Sequence, residues 1–133
     1  MKSDRAQRMN SSAISVHESH AFVTTFDLSP TDSGPLNGLR FAVKDTIDVA
    51  GFKTGCGNPT WRDSHPAAVV HAVCVEQLLH AGARCIGKTV SDELAFSLLG
   101  ENHFYGTPLN ARARLIACRV DRRADRLPPL LAG

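Results

Sequence analysis

No serine follows Ser97 in the 133 residues of this chain. Within these residues, the last candidate for serine chemistry is Ser97 itself. There is also no Cys-x-x-Cys pair. Cys56, Cys74, Cys85 and Cys118 stand far apart, at spacings that suit no zinc module. His65, His71, His80 and His103 are scattered without a ligand repeat. These cysteines and histidines read as structural, and neither a metal nor another cofactor is expected. No apolar run approaches the ~20 residues that span a bilayer. The opening MKSDRAQRMNSS is polar and is not a secretory h-region. The expectation is a cytoplasmic chain in a reducing compartment, without a membrane partner.

A strong excess of one charge is lacking too. The net charge is +2, but it is uneven: residues 1–110 hold 9 basic and 11 acidic side chains, and residues 111–133 hold 6 Arg and 2 Asp. An Arg-rich tail can read as a nucleic-acid arm.

What is present is organised around one segment, PLNGLRFAVKDTIDVAG, from Pro35 to Gly51. Leu39–Val43 reads as a strand and Lys44 follows it directly. A lysine at the end of a buried strand sits at the edge of a core, where burial disfavours its charged form. A neutral amine can act as a base. The alternative is a lysine that caps the strand and points into water. Thr46–Val49 reads as an extension or a second short strand, and Thr54–Asp63 as a loop rich in Gly, Asn and Pro. Pro66 suits a first helical turn and Gly82 a helix stop, which predicts a largely buried helix over Ala67–Ala81. Ala83–Gly87 reads as another strand, so strand, helix and strand form a βαβ unit. Ser91 or Asp92 can cap a short helix through Leu98, and Phe104–Asn110 reads as loop. Ala21–Phe26 suits a short strand or helix.

One motif points elsewhere. Gly82, Gly87, Lys88 and Thr89 meet the spacing of a phosphate loop. Such a loop follows a strand, whereas here the strand lies between the glycines, and the nucleotide reading is set aside for that reason. Lys88 stands as a second buried lysine.

The Pro35–Gly51 segment resembles the start of the amidase-signature family, the serine hydrolases with a Ser–Ser–Lys triad. The resemblance continues through TGCGNPTW (Thr54–Trp61), GARCIGKTVSDELAFS (Gly82–Ser97) and GENHFYGTPLN (Gly100–Asn110). It covers nearly all of Gly34–Asn110 in the family's order. Within the family, the chain is similar to plant indole-3-acetamide amidases and their bacterial relatives. It is less similar to the tRNA-dependent amidotransferases. The resemblance implies an α/β fold: an N-terminal piece of the family's mixed sheet, flanked by helices. It implies Lys44 as the triad lysine, and Asp92, Leu94, Ala95, Phe96 and Ser97 along the acyl side of the substrate pocket. Ordinary packing is the alternative for that last stretch. Gly100-Glu101-Asn102 fits a loop that braces the site, with Glu101 alternatively a solvated acid. Gly55, Gly57 and Asn58 read as turn residues at the pocket rim. The family's partner is a small-molecule amide, hydrolysed to acid and ammonia. The sequence leaves the oligomeric state open.

After Asn110 the resemblance stops. The family continues into a Gly-Gly-Ser-Ser-x-Gly-Ser loop that carries the bridging serine, with the nucleophilic serine further on. Ser91 and Ser97 lie in the wrong motif for either role. Ile116–Ala124 is compatible with the codons ATT-GCC-TGC-CGG-GTG-GAT-CGT-CGA-GCG. Read from the last base of each codon, these give Cys-Leu-Pro-Gly-Gly-Ser-Ser-Ser, the missing motif in another frame. Three segments are therefore expected: a variable leader over 1–33, the amidase-signature fragment over 34–110, and an out-of-frame tail without a native fold over 111–133. A shifted reading of GC-rich codons yields arginine without selection for binding, so no nucleic-acid partner is expected. The expectation for the chain is an amidase-family fragment, truncated before both serines and inactive. The alternative is a small non-enzymatic binding domain that uses the Arg-rich tail.

Overall fold

The computed structural model describes residues 19–97, 99–110 and 113–117. The leader up to residue 18, Leu98, Cys118 and the tail beyond it lie outside the described residues. Three strands form one mixed sheet in the order β1-β3-β2. Strand β1 is Phe22–Leu28, β2 is Arg40–Lys44 and β3 is Arg84–Thr89. β3 is central, antiparallel to β1 and parallel to β2. The α/β mixed sheet and the parallel pairing of β2 with β3 are as the sequence predicts. In the register, Phe41 faces Cys85, Val43 faces Lys88 and Lys44 faces Thr89.

The pattern of each strand explains its place. From Thr25 to Leu28 exposure alternates, with Phe26 and Leu28 turned in, which is the period of a strand with one covered face. Phe26 stacks on Phe52 at 3.9 Å between ring centroids. The core is Val43, Val49, Val75, Leu79 and Cys85, with Phe26, Leu28, Phe41, Ile47, Phe52 and Ala72 packed around it.

The crossover from β2 to β3 departs from the expectation. The helix there, α2, spans only Val73–His80 and not Ala67–Ala81; helix α1, Pro59–Ser64, precedes it. Residues 66–72 do not coil because their polar groups pair with the chain leaving β2. Ala68 N–H donates to Phe52 O, Gly51 N–H to Ala68 O, and Ala72 N–H to Asp48 O. Ala50 N–H donates to His71 Nδ1. α2 is also less covered than expected. Val75 and Leu79 are buried, while Val73 and Cys74 are exposed. Gly82 does stop the helix, at φ +96°, where a residue without Cβ is favoured.

Four further expectations are corrected. Helix α1 occupies the stretch read as loop: Asn58 accepts from Trp61 N–H and Pro59 fills the first turn, both strong helix-start signals. Thr46–Val49 is not a strand. The chain turns after Lys44, and Ile47 N–H donates back to Lys44 O. After β3, one 3-10 turn, Glu93–Ala95, replaces the expected helix, and Asp92 makes no side-chain cap. Leu94 and Ala95 there have φ of +49° and +58°. Further on, Leu109–Asn110 (β4) pairs antiparallel with Ala113–Ala117 (β5). β4 lies in the expected loop, and β5 is the described part of the segment expected to lack a native fold.

Candidate active site

Lys44 closes β2 and is half-buried. Val43 before it belongs to the core, so strand alternation turns Lys44 to the opposite face. Among the described residues, the Lys44 ammonium makes no hydrogen bond and no ion pair.

Beside it lies a buried polar knot. Lys88 is fully buried, the largest such side chain among the described residues. Its ammonium donates to Lys53 O at 2.9 Å and Thr54 Oγ1 at 2.8 Å. It lies 3.7 Å from Asp45 Oδ1. The Thr54 hydroxyl in turn donates to Asp48 Oδ1. Asp45, 1 % exposed, accepts from Gly55 N–H on one oxygen and Gly57 N–H on the other. A buried charge needs such partners. Burial pushes the Lys88 amine down, opposed by the carboxylates of Asp45 and then Asp48. Burial and then Asp45 push the Cys56 thiol up.

A second buried residue ties this knot to the next segments. Asn102, 5 % exposed, donates to Gly57 O at 2.7 Å and Ser91 O at 2.8 Å. Its Oδ1 accepts from Phe104 N–H and Tyr105 N–H. Gly57 has φ +72°, and a Cβ there would lie 2.5 Å from Ser91 O. The loop after β2 therefore has to pass this closely against the end of β3.

The structure divides the residues singled out in the sequence. Lys44 borders the knot, and Asp92 is buried next to it, with Oδ1 unpartnered among the described residues. Leu94, Ala95, Phe96 and Ser97 lie on the surface, Phe96 at 94 % exposure. Ser91 Oγ donates to Asp92 O, and Ser97 Oγ accepts from Leu99 N–H. Glu101 is exposed, while its neighbour Asn102 does the bracing. The phosphate-loop spacing has no loop behind it. Gly87 and Lys88 are inside β3, and Lys88 faces protein carbonyl and hydroxyl groups. Asp45 and Thr54 were not singled out from the sequence. The signal for Asp45 was Lys88 itself, since a buried strand lysine requires a carboxylate. A cleft of about 510 Å³ lies apart from Lys44, lined by Asp48, Thr54, Cys56, Trp61, His65 and the Pro66–Val70 stretch. The described residues contain no His/Cys/Asp/Glu group suited to a metal. No described helix is long and apolar enough to cross a membrane.

The Amidase family model matches residues 4–117. The chain belongs to the amidase family. Amide hydrolysis is the reaction at family level. The chain is 50 % identical over 94 residues to Amidase 1 of Arabidopsis thaliana, covering 68 % of this chain and 22 % of that protein. It is 44 % identical over 97 residues to the mitochondrial outer envelope protein 64 of the same plant, covering 68 % and 16 %. Its fold is similar to that of a glutamyl-tRNA(Gln) amidotransferase chain from Thermotoga maritima. There the TM-score is 0.62 at 23 % identity, over 73 % of this chain and 21 % of the other. The amidase chain thus spans about a fifth of the length of the relatives it matches.

Proposed function

We propose that this chain is the lysine-bearing part of an amidase that cleaves a carboxylic amide to acid and ammonia, with Lys44 as the base of a Ser–Ser–Lys triad. The observation that carries this reading is the placement of Lys44. It closes a strand beside a buried polar knot, half-buried, with no partner among the described residues. In the proposed reaction a serine Oγ attacks the amide carbonyl. Its proton passes through a bridging serine to Lys44. The proton returns to the departing nitrogen as the C–N bond breaks, and water then hydrolyses the acyl-serine. Asp92, Leu94, Ala95, Phe96 and Ser97 would border the acyl side of the substrate once further chain covers that surface.

Both serines lie outside the motifs of the 133 residues. We place the bridging serine in the shifted frame that residues 116–124 can encode, and the nucleophilic serine further along that frame. The 133-residue chain by itself should not hydrolyse indole-3-acetamide or simple aliphatic and aryl amides above background. Residues 111–133 are then a product of the frame change and not a nucleic-acid arm. The spread of Cys56, Cys74 and Cys85 as free thiols fits a reducing cytoplasm.

The test begins with the gene. Sequencing should reveal the serine loop in another frame, and restoring that frame should yield amide turnover that Lys44→Ala abolishes. Turnover by the 133-residue chain that disappears in Lys44→Ala would overturn the inactive-fragment reading. Undiminished turnover by the restored Lys44→Ala enzyme would overturn the role of Lys44.

A further inference from the structure

Lys44 is followed by a residue held at each of its polar atoms. Asp45 N–H donates to Thr89 O at 3.0 Å, and Asp45 O accepts from Cys56 N–H at 3.0 Å. Its carboxylate accepts from Gly55 N–H at 3.3 Å and Gly57 N–H at 3.4 Å. Lys88 Nζ stands 3.7 Å from the same carboxylate, the two side chains being 0 % and 2 % exposed. Lys88 is the register partner of Val43, and Thr89 that of Lys44. The knot therefore grips the main chain on both sides of Lys44.

We propose that Asp45 and Lys88 are positioning residues for Lys44, fixing where its amine is presented; this rests on the reading of Lys44 as the triad lysine. Two arguments support it. A lysine at a strand terminus has a flexible four-carbon stem, so its amine can be placed only if its backbone is fixed. Here the fixing groups come from β3 and from the Thr54–Gly57 loop, not from the stem's own neighbours. The second argument is electrostatic. An unpaired carboxylate one residue away would bear on Lys44 with a full negative charge. Lys88 cancels that charge and cannot itself be reached from solvent. A buried ion pair is a weak source of stability compared with apolar groups of the same volume. Its specific geometry is then the reason to have one here.

The test uses the 133-residue chain and an amine-acylating reagent, with each lysine's labelling rate read by peptide mass spectrometry. An unrelated lysine-containing peptide added to each reaction is the standard, since Lys53 O accepts from Lys88. Asp45→Asn keeps the shape and removes the charge; Lys88→Met removes the cation. Asp27→Asn, which breaks the exposed pair with Arg84 on β3, is the control. Circular dichroism checks that each variant is folded. If Lys88→Met is not, Asp45→Asn decides alone. The Lys44 rate in Asp45→Asn should change about threefold or more, the low end of coupling within one network. It should stay constant in Asp27→Asn. Amide exchange at Gly55 and Gly57 is followed in parallel. Faster exchange there with an unchanged Lys44 rate would mean that the knot holds only the loop, and would overturn the proposal. An unchanged rate with unchanged exchange would overturn it too. Labelling reports placement, not turnover. A wrong role for Lys44 would surface in the Lys44→Ala assay above and leave these rates as expected. In the frame-restored enzyme, Asp45→Asn should lower kcat and leave KM in place.

Discussion

Asn102 offers the sharpest quantitative check on how this fold is held. Its side-chain amide makes four hydrogen bonds: two donated, to Gly57 O and Ser91 O, and two accepted, from Phe104 N–H and Tyr105 N–H. Asn102→Ala removes all four. The two amides lie at a part-buried edge, where water can replace the lost acceptor. The two carbonyls sit in a buried setting and lose their donor. Each orphaned buried group costs about 1–3 kcal/mol, so the loss should be about 2–6 kcal/mol. With a urea dependence of about 2 kcal/mol per M, the midpoint should fall by about 1–3 M. Asn102→Asp keeps the shape and aims a carboxylate oxygen at two carbonyl oxygens. At neutral pH it should be at least as unstable as Asn102→Ala. Its carboxyl would have a folded-state pKa above the unfolded value of about 3.9. The destabilisation is full above that raised pKa and shrinks as pH falls through it, because the protonated group can again donate. The assay is urea unfolding of the three proteins at neutral and mildly acid pH. An Asn102→Asp chain as stable as wild type at neutral pH would refute the reasoning. So would an Asp-minus-Ala difference that does not move with pH.

Other outcomes follow from single positions. Gly87 has φ +152°, and a Cβ there would lie 2.5 Å from Thr24 O and 2.8 Å from the Phe22 ring. Gly87→Ala should cost about 2–4 kcal/mol through strain and overpacking, with faster amide exchange across the β1–β3 pairing. Leu79→Ala should cost about 2–5 kcal/mol, since Leu79 is 1 % exposed. Val69→Ala, at 90 % exposure, should stay within about 0.5 kcal/mol; equal effects in thermal melts would contradict the assigned core. Burial holds the Lys88 amine below its ordinary 10.5. Between that lowered value and 10.5 the unfolded chain binds the extra proton, so this contribution to stability rises with pH. Wild type should gain on Lys88→Met as pH climbs towards 10.5. The Tyr105 hydroxyl, raised by burial, acts oppositely in both proteins and cancels in the difference. The Lys88 cation holds down the Cys56 and Cys85 thiols that burial raises, so its loss raises them further and adds to the wild-type gain. Parallel curves would refute the shift.

Local pattern made part of this fold readable. Phe41 and Val43 mark β2 as a strand, and its pairing with β3 needs only an apolar run on each side of a crossover. The Gly82 stop was legible because a single residue's conformational freedom decides it. The Pro66–Ala72 stretch was not legible. Its apolar spacing suits a helix, but its amides pair with residues 48–52, and that competition is invisible along the chain. Helix α1 was overlooked although Asn58 and Pro59 spell its start. Gly55 and Gly57 on the same stretch weighed towards loop. In the candidate site, Lys44 and the buried Lys88 were legible from their strands. Asp45 was not, because its role depends on the loop at Gly55 and Gly57 folding back onto it.

Trp61 is the chain's single tryptophan, and its ring stacks on His65 at 4.0 Å with a 20° tilt. An indole dominates protein emission, and a stacked imidazole quenches it by contact. The intrinsic fluorescence of this chain is therefore a gauge of one corner, helix α1 with the residue after it, and the sheet contributes nothing to it. Far-UV circular dichroism reads the strands and α2 instead. Denaturation followed by both signals separates melting of that corner from melting of the sheet, and coincident curves would mark them as one cooperative unit.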